Sequence, residues 1–196
     1  MSPEPVLRVE NLRTNLYTDK GMVQAVNDVS LFVKSNETVA LVGESGGGKT
    51  MTALSIMRLE PSTARILSGR VIFDGQDLLQ LSPDEIRALR GSKMAMIYQD
   101  PMTFLNPIMR IDKQVAEVLV THKKVSKAEA RNQVLDVFFQ LGIPSPERVA
   151  RSYPHQLSGG MRQRIIIAMA IICNPSLLVA DDPTTALDVS IQAQIM

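Results

Sequence analysis

The sequence predicts an α/β fold organised around a phosphate-binding loop, and three observations carry that prediction. The apolar run Thr38-Val39-Ala40-Leu41-Val42 leads into Gly43-Glu44-Ser45-Gly46-Gly47-Gly48-Lys49-Thr50, which leads into the helix-like stretch Met51 to Leu59. Strand, glycine-rich turn and helix, with Lys-Thr closing the turn, is the P-loop pattern. Far downstream, the apolar segment Leu177-Leu178-Val179-Ala180 ends in Asp181-Asp182. Between them, Leu157-Ser158-Gly159-Gly160 sets a serine and two glycines at the start of another helical stretch.

The residue types in 43–50 are those that anion binding demands. Glycines let the backbone wrap closely round a phosphate with successive N–H groups pointing inward. The new helix adds unpaired N–H donors and the positive end of its dipole. Lys49 reaches the outer phosphates in such a loop, and the Thr50 hydroxyl holds Mg²⁺.

The bulk numbers fit one domain, or one domain with an inserted subdomain, of 196 residues. Hydrophobic content is 45% and charged content 21%, ordinary values for a globular chain. The formal net charge of +1 gives no sign of an electrostatic footprint for nucleic acid. Cys173 is the single cysteine, so no internal disulfide or multi-cysteine metal site forms, and it is expected to pack as a small buried hydrophobe. Met1 to Pro5 lacks the basic and apolar regions of a signal peptide. The apolar run from Ile165 to Cys173 falls far short of the roughly 20 residues that cross a bilayer. The expected location is the cytosol, or the cytosolic face of a membrane through a partner.

In chain order, Val6 to Leu12 alternates as a half-buried strand, 17–21 reads as a turn, and Val23 to Val33 is strand-rich. Ser35-Asn36-Glu37 turns the chain into the loop strand. Pro61 and Gly69 mark a break before a short strand, 70–75. Ser82-Pro83-Asp84-Glu85 is a capping box opening a helix that should stop near Gly91. Met94 to Tyr98 is a buried strand delivering Gln99-Asp100-Pro101. From Ile111 to Gly142 the period is helical, with a second capping box at Ser126 to Glu129. Residues 101–156 therefore read as a helical insertion into a core made of 1–100 and 157–196. A helix from Leu157 to Cys173 follows, stopped by Asn174-Pro175, then a fully buried strand, Leu177 to Ala180. A last helix begins at Val189.

An apolar strand ending in acid, downstream of a P-loop, has the Walker B arrangement, with Asp181 for Mg²⁺ and Asp182 for the attacking water. Leu157-Ser158-Gly159-Gly160-Met161-Arg162-Gln163 is similar to the signature motif of ABC transporter ATPases. Physically it is a second anion site at a helix N-terminus, suited to close over the γ-phosphate of a partner's ATP. The resemblance implies that Gln99 is the Q-loop glutamine, a Mg²⁺ and water contact. It implies further that Ala186-Leu187-Asp188 is the D-loop crossing a dimer interface, and that Tyr17 stacks on adenine. It also implies a P-loop NTPase core with an N-terminal antiparallel β subdomain and an inserted helical subdomain, truncated at its C-terminus.

Phe104 to Met109, Tyr153 to Leu157 and Asp188 to Gln194 look like the dipeptide, oligopeptide and nickel importer ATPases. The cofactors so implied are ATP and Mg²⁺. The implied partners are an identical or sister ATPase subunit, membrane permease subunits contacted near 101–112 and, indirectly, a solute-binding protein, with no nucleic acid. The implied place is the cytoplasmic face of the cell membrane. Gly47 and Thr50 replace the family's usual serines, and Asp182 stands where it has glutamate. The chain is expected to be an N-terminal fragment, since it stops short of the switch histidine, a position that neither His122 nor His155 fills. Asp182 and that histidine leave open a non-hydrolysing ATP-binding module. A soluble ABC ATPase of DNA repair or translation is the other rival, disfavoured by the neutral charge and the 104–109 segment.

Overall fold

The computed structural model describes residues 4–98 and 104–183, which form two compact units, 1–87 and 88–196. In the first, β1 (Leu7–Thr18), β2 (Gly21–Val33), β3 (Ala64–Phe73) and β4 (Gln76–Asp77) form an antiparallel sheet in the order β2-β1-β3-β4. The alternation read in the sequence is real. Leu7 and Val9 turn inward while Arg8 faces out, because side chains of a strand alternate between faces. Leu12 is inward out of that period, where the pairing shifts register. Helix α1 (Lys49–Met57) covers β1 and β2, burying Ile56 and Met57. A buried hydroxyl pair, Thr14 with Ser55 at 2.9 Å, satisfies the two polar groups trapped there. Helix α2 (Pro83–Leu89) starts on the predicted capping box: Ser82 N donates to Glu85 Oε2 at 2.8 Å, and Glu85 N returns to Ser82 Oγ at 3.4 Å.

Two sequence expectations fail in this unit. Thr38 to Val42 forms no strand, and Val42 is 92% exposed. A strand needs a neighbour to complete its ladder, and no described segment pairs with this run. Gly69 does not mark a break either; β3 runs straight through it. Its role lies in pairing. β1 uses the step from Glu10 to Arg13 where β3 uses Arg70 to Ser68, one residue fewer, so β1 carries a bulge there. Gly69 faces that bulge with φ +107, and a Cβ on it would stand 2.6 Å from Leu12 Cα and 2.7 Å from the Glu10 carbonyl oxygen.

In the second unit, β5 (Met94–Ile97) and β6 (Leu177–Ala180) pair in parallel, Met94 opposite Leu177 and Ile97 opposite Ala180. Helices α3 (Ile111–Lys123), α4 (Lys127–Gln140) and α5 (Pro146–Arg151) pack together and, with α6 (Gly159–Ile171), enclose one apolar core. Phe138, Val134, Val115, Leu119 and Ile165 are among its fully buried members. Ser126 caps α4 through Glu129 N at 3.2 Å, as its sequence predicts. Helix α5 was not foreseen, because the Gly-Ile-Pro-Ser-Pro run before it reads as loop. Cys173 is buried as expected, and burial pushes its thiol up. β6 corrects the fully buried strand: Leu177 is inside, but Leu178 is 42% exposed, since only β5 flanks it among the described residues. The expected helix from Val189 lies outside the described residues.

The Gly69 bulge gives a stability test. Gly69→Ala adds a left-handed non-glycine residue and forces backbone apart, which together should destabilise the fold by about 2–4 kcal/mol. Urea unfolding should show a lower midpoint at unchanged slope; a midpoint equal to the parent's would contradict the close approach.

Candidate nucleotide-binding site

Within 43–50 the turn is closed by Gly47 N donating to the Glu44 carbonyl at 3.1 Å, with Ser45 and Gly46 at its tip. Gly46 and Gly48 hold φ of +82 and +84, backbone that other residues reach only under strain. At Gly48 the demand is absolute, for a Cβ there would lie 2.1 Å from the Ala25 carbonyl oxygen. At Gly47 it would meet the Glu44 carbonyl at 3.0 Å, so glycine suits this tight turn where the importer pattern has serine. Gly43 is unhindered and exposed.

Gly48 is also the N-cap of α1, and it offers no side chain to occupy the helix's first N–H groups. The positive end of the helix dipole thus faces the loop with no side-chain cap over it. Lys49 adds charge there. Its Nζ folds back along the loop and donates to the carbonyls of Gly43 and Glu44, both at 2.8 Å. An ammonium held this way stands over the loop, pre-placed for a phosphate rather than swinging freely in solvent. Thr50, in the first turn of α1, is exposed.

Tyr17 ends β1 with its backbone N–H on the Thr63 carbonyl at 2.8 Å. Its ring is 45% exposed and lines a shallow hollow with Ser62, Thr63 and Arg65. Sequence reading found the ring but not its neighbours, since nothing in 62–65 marks them out before the fold is known.

In the second unit Ser158 caps α6, its Oγ accepting from Met161 N at 3.3 Å. Leu157 anchors the turn in the core while Ser158 and Gly159 are exposed, and a Cβ on Gly159 would meet nothing within 4 Å. Gly160 follows, half-buried. The turn is braced by Arg162, whose Nε donates to the carbonyls of Pro154 at 2.9 Å and Leu157 at 3.0 Å. Arg164, buried on the same helix, donates to the carbonyls of Leu141 and Gly142 at the end of α4. Arg162 belongs to the signature-like stretch, but the carbonyls that it and Arg164 reach are not marked in the sequence, as arginines in a helix ordinarily face solvent.

Asp181 continues the ladder beyond β6 by donating its N–H to Ile97 O at 2.9 Å. Asp182 follows, exposed, in the left-handed region at φ 45. Gln99, Asp188 and the D-loop sequence Ala186-Leu187-Asp188 lie outside the described residues. Tyr98 and Phe104 stack with ring centroids 4.2 Å apart. Gln114 templates the 104–110 turn, accepting from Asn106 N at 2.9 Å and donating to Asn106 O at 3.0 Å and Met109 O at 2.7 Å. Ile108 is left 86% exposed.

Among the described residues no three His, Cys, Asp or Glu side chains gather into a metal cluster. Mg²⁺ needs none, since it is bound by one or two protein oxygens together with substrate phosphates and water. A threonine in the first turn of α1 and an aspartate at a strand end are donors of the right hardness for it.

The model of the ABC transporter family matches residues 26–185. The dipeptide transport ATP-binding protein DppD of Bacillus subtilis is 53% identical over 194 residues, 98% of this chain and 58% of its own length. The oligopeptide transport ATP-binding protein OppD of Escherichia coli is 47% identical over 193 residues, 98% of this chain and 57% of its own. The chain thus spans a little over half the length of these curated relatives. Among solved structures, the dimeric post-hydrolysis state of the ATP-binding cassette MJ0796 with ADP and Pi superposes with a TM-score of 0.86 at 28% identity. That match covers 96% of this chain and 79% of the other. The glycine loop, the capped second helix and the strand-end acids are thus found in a chain that belongs to the ABC transporter family.

Proposed function

We propose that this chain binds and hydrolyses ATP to power the import of peptides or similar small solutes through a membrane permease. The observation that carries the reading is the loop itself: left-handed Gly46 and Gly48, an uncapped α1 N-terminus and an inward-folded Lys49 suit a polyphosphate and little else. Likeness to dipeptide and oligopeptide transport proteins supports the solute class.

In this reading the amides of Glu44 to Thr50 and the Lys49 ammonium hold the β- and γ-phosphates, and Tyr17 stacks on adenine. Thr50, Gln99 and Asp181 hold Mg²⁺, which supplies charge neutralisation on the phosphates. Asp182 accepts a proton from the attacking water and orients it. Ser158, Gly159 and Gly160 close over the γ-phosphate bound by a second ATPase subunit, identical or sister, with Asp188 at that interface. The segment near 101–112, which includes the turn held by Gln114, receives the permease, whose solute arrives from a binding protein. The chain then sits on the cytoplasmic face of the cell membrane, peripheral through its permease; none of its described helices is long and apolar enough to cross a membrane.

Lys49→Ala should weaken ATP binding by about 1.5–3 kcal/mol, roughly ten- to hundredfold in Kd, because it removes a charged phosphate contact. Titration calorimetry giving equal Kd for mutant and parent would contradict the assignment.

Asp182 carries the second prediction. Its carboxylate is one methylene shorter than the glutamate of the family pattern, and misplacement on the order of 1 Å slows chemistry about a hundredfold. Asp182→Glu should raise single-turnover hydrolysis roughly ten- to hundredfold, with ATP affinity unchanged within about twofold. Equal hydrolysis rates would mean that the backbone at 182 already compensates for the shorter side chain.

A further inference from the structure

Gln163 lies in α6, on the helix that starts at the Ser158 cap, and its side chain is 0% exposed. Its Nε2 donates to the Pro183 carbonyl at 2.6 Å, just past the two acids. Its Oε1 is buried with no partner among the described residues. A buried acceptor in that condition is a cost that an apolar side chain of similar size would avoid. The neighbouring positions Ile165, Ile166 and Ile167 show that apolar residues suit this helix. What the amide supplies, and an apolar side chain lacks, is its grip on Pro183.

Asp181 is held on its upstream side by the ladder bond to Ile97. Asp182 leaves the strand direction at φ 45, and Pro183 has no N–H with which to anchor itself. The two acids are thus pinned from before by β5 and from after by α6.

We propose that Gln163 is a positioning residue: its amide ties the helix beginning at Ser158-Gly159-Gly160 to the turn leaving Asp181-Asp182, and thereby sets where the Asp182 carboxylate stands. The proposal rests on the reading of Asp182 as the group that orients the attacking water. Any displacement of α6 when its N-terminus takes up an anion is then passed to Asp182 through one buried hydrogen bond.

The test uses the purified full chain and two variants. Gln163→Met keeps the volume and removes the donor; Gln163→Asn keeps the amide but withdraws it, and serves if the first fails to fold. ATP affinity, single-turnover hydrolysis and hydrogen–deuterium exchange are measured on each. The expected result is ATP Kd within about twofold of the parent, hydrolysis slowed about tenfold or more, and faster exchange confined to the peptide ending at 181–183. Unchanged exchange there, or hydrolysis within twofold, overturns the proposal. So does a parallel loss of affinity and rate with faster exchange throughout α6, which would make Gln163 a support of the fold alone. If the parent itself hydrolyses no ATP, the proposed function fails separately, and the exchange at 181–183 alone decides the link.

Discussion

The close approach of Gly48 to the Ala25 carbonyl is the constraint from which the candidate site follows. A side chain at 48 would collide with β2, so the chain reverses at a left-handed glycine, and α1 starts from that reversal without a side-chain cap. An ordinary helix covers its first N–H groups with a serine, threonine or aspartate, as α2, α4 and α6 do. α1 starts on a glycine and makes no side-chain cap bond. The carbonyls of Gly43 and Glu44, turned toward Lys49 Nζ, then keep the one cation of the loop in place. The left-handed glycine and the helix start without a side-chain cap both follow from that packing contact.

The second unit solves a different problem by other means. Its helix α6 is buried on nearly every face, yet it carries Arg162, Gln163 and Arg164 in succession. Each polar side chain reaches a backbone carbonyl: Pro154 and Leu157 before the helix, Pro183 after the acids, Leu141 and Gly142 at the end of α4. Carbonyls at turns and helix ends lack partners of their own, and a long polar side chain is the cheapest way to satisfy them inside a core. The result is that the signature turn, the acid turn and the α4 terminus are all referred to a single rigid element.

Local chemistry was legible in the sequence. The capping boxes at Ser82 and Ser126, the cap at Ser158, the alternation of β1 and the glycine loop all depend on residues within a few positions of one another. The readings that failed depend on distant partners. Thr38 to Val42 has strand composition but no ladder, Leu178 faces out because only one strand flanks it, and Gly69 looks like a break until the β1 bulge opposite it is known. For the same reason the contacts of Gln114, Gln163 and Arg164 were not legible: a glutamine or arginine in a helix gives no hint of which remote carbonyl it will find.

The central claim is that the chain grips a phosphate chain through the backbone of 43–50. The most direct measurement is competition against a fluorescent ATP analogue by inorganic tripolyphosphate and by adenosine, each with Mg²⁺ present. The account predicts that tripolyphosphate displaces the analogue while adenosine, at the same concentrations, displaces little of it. Displacement by adenosine with none by tripolyphosphate would contradict it.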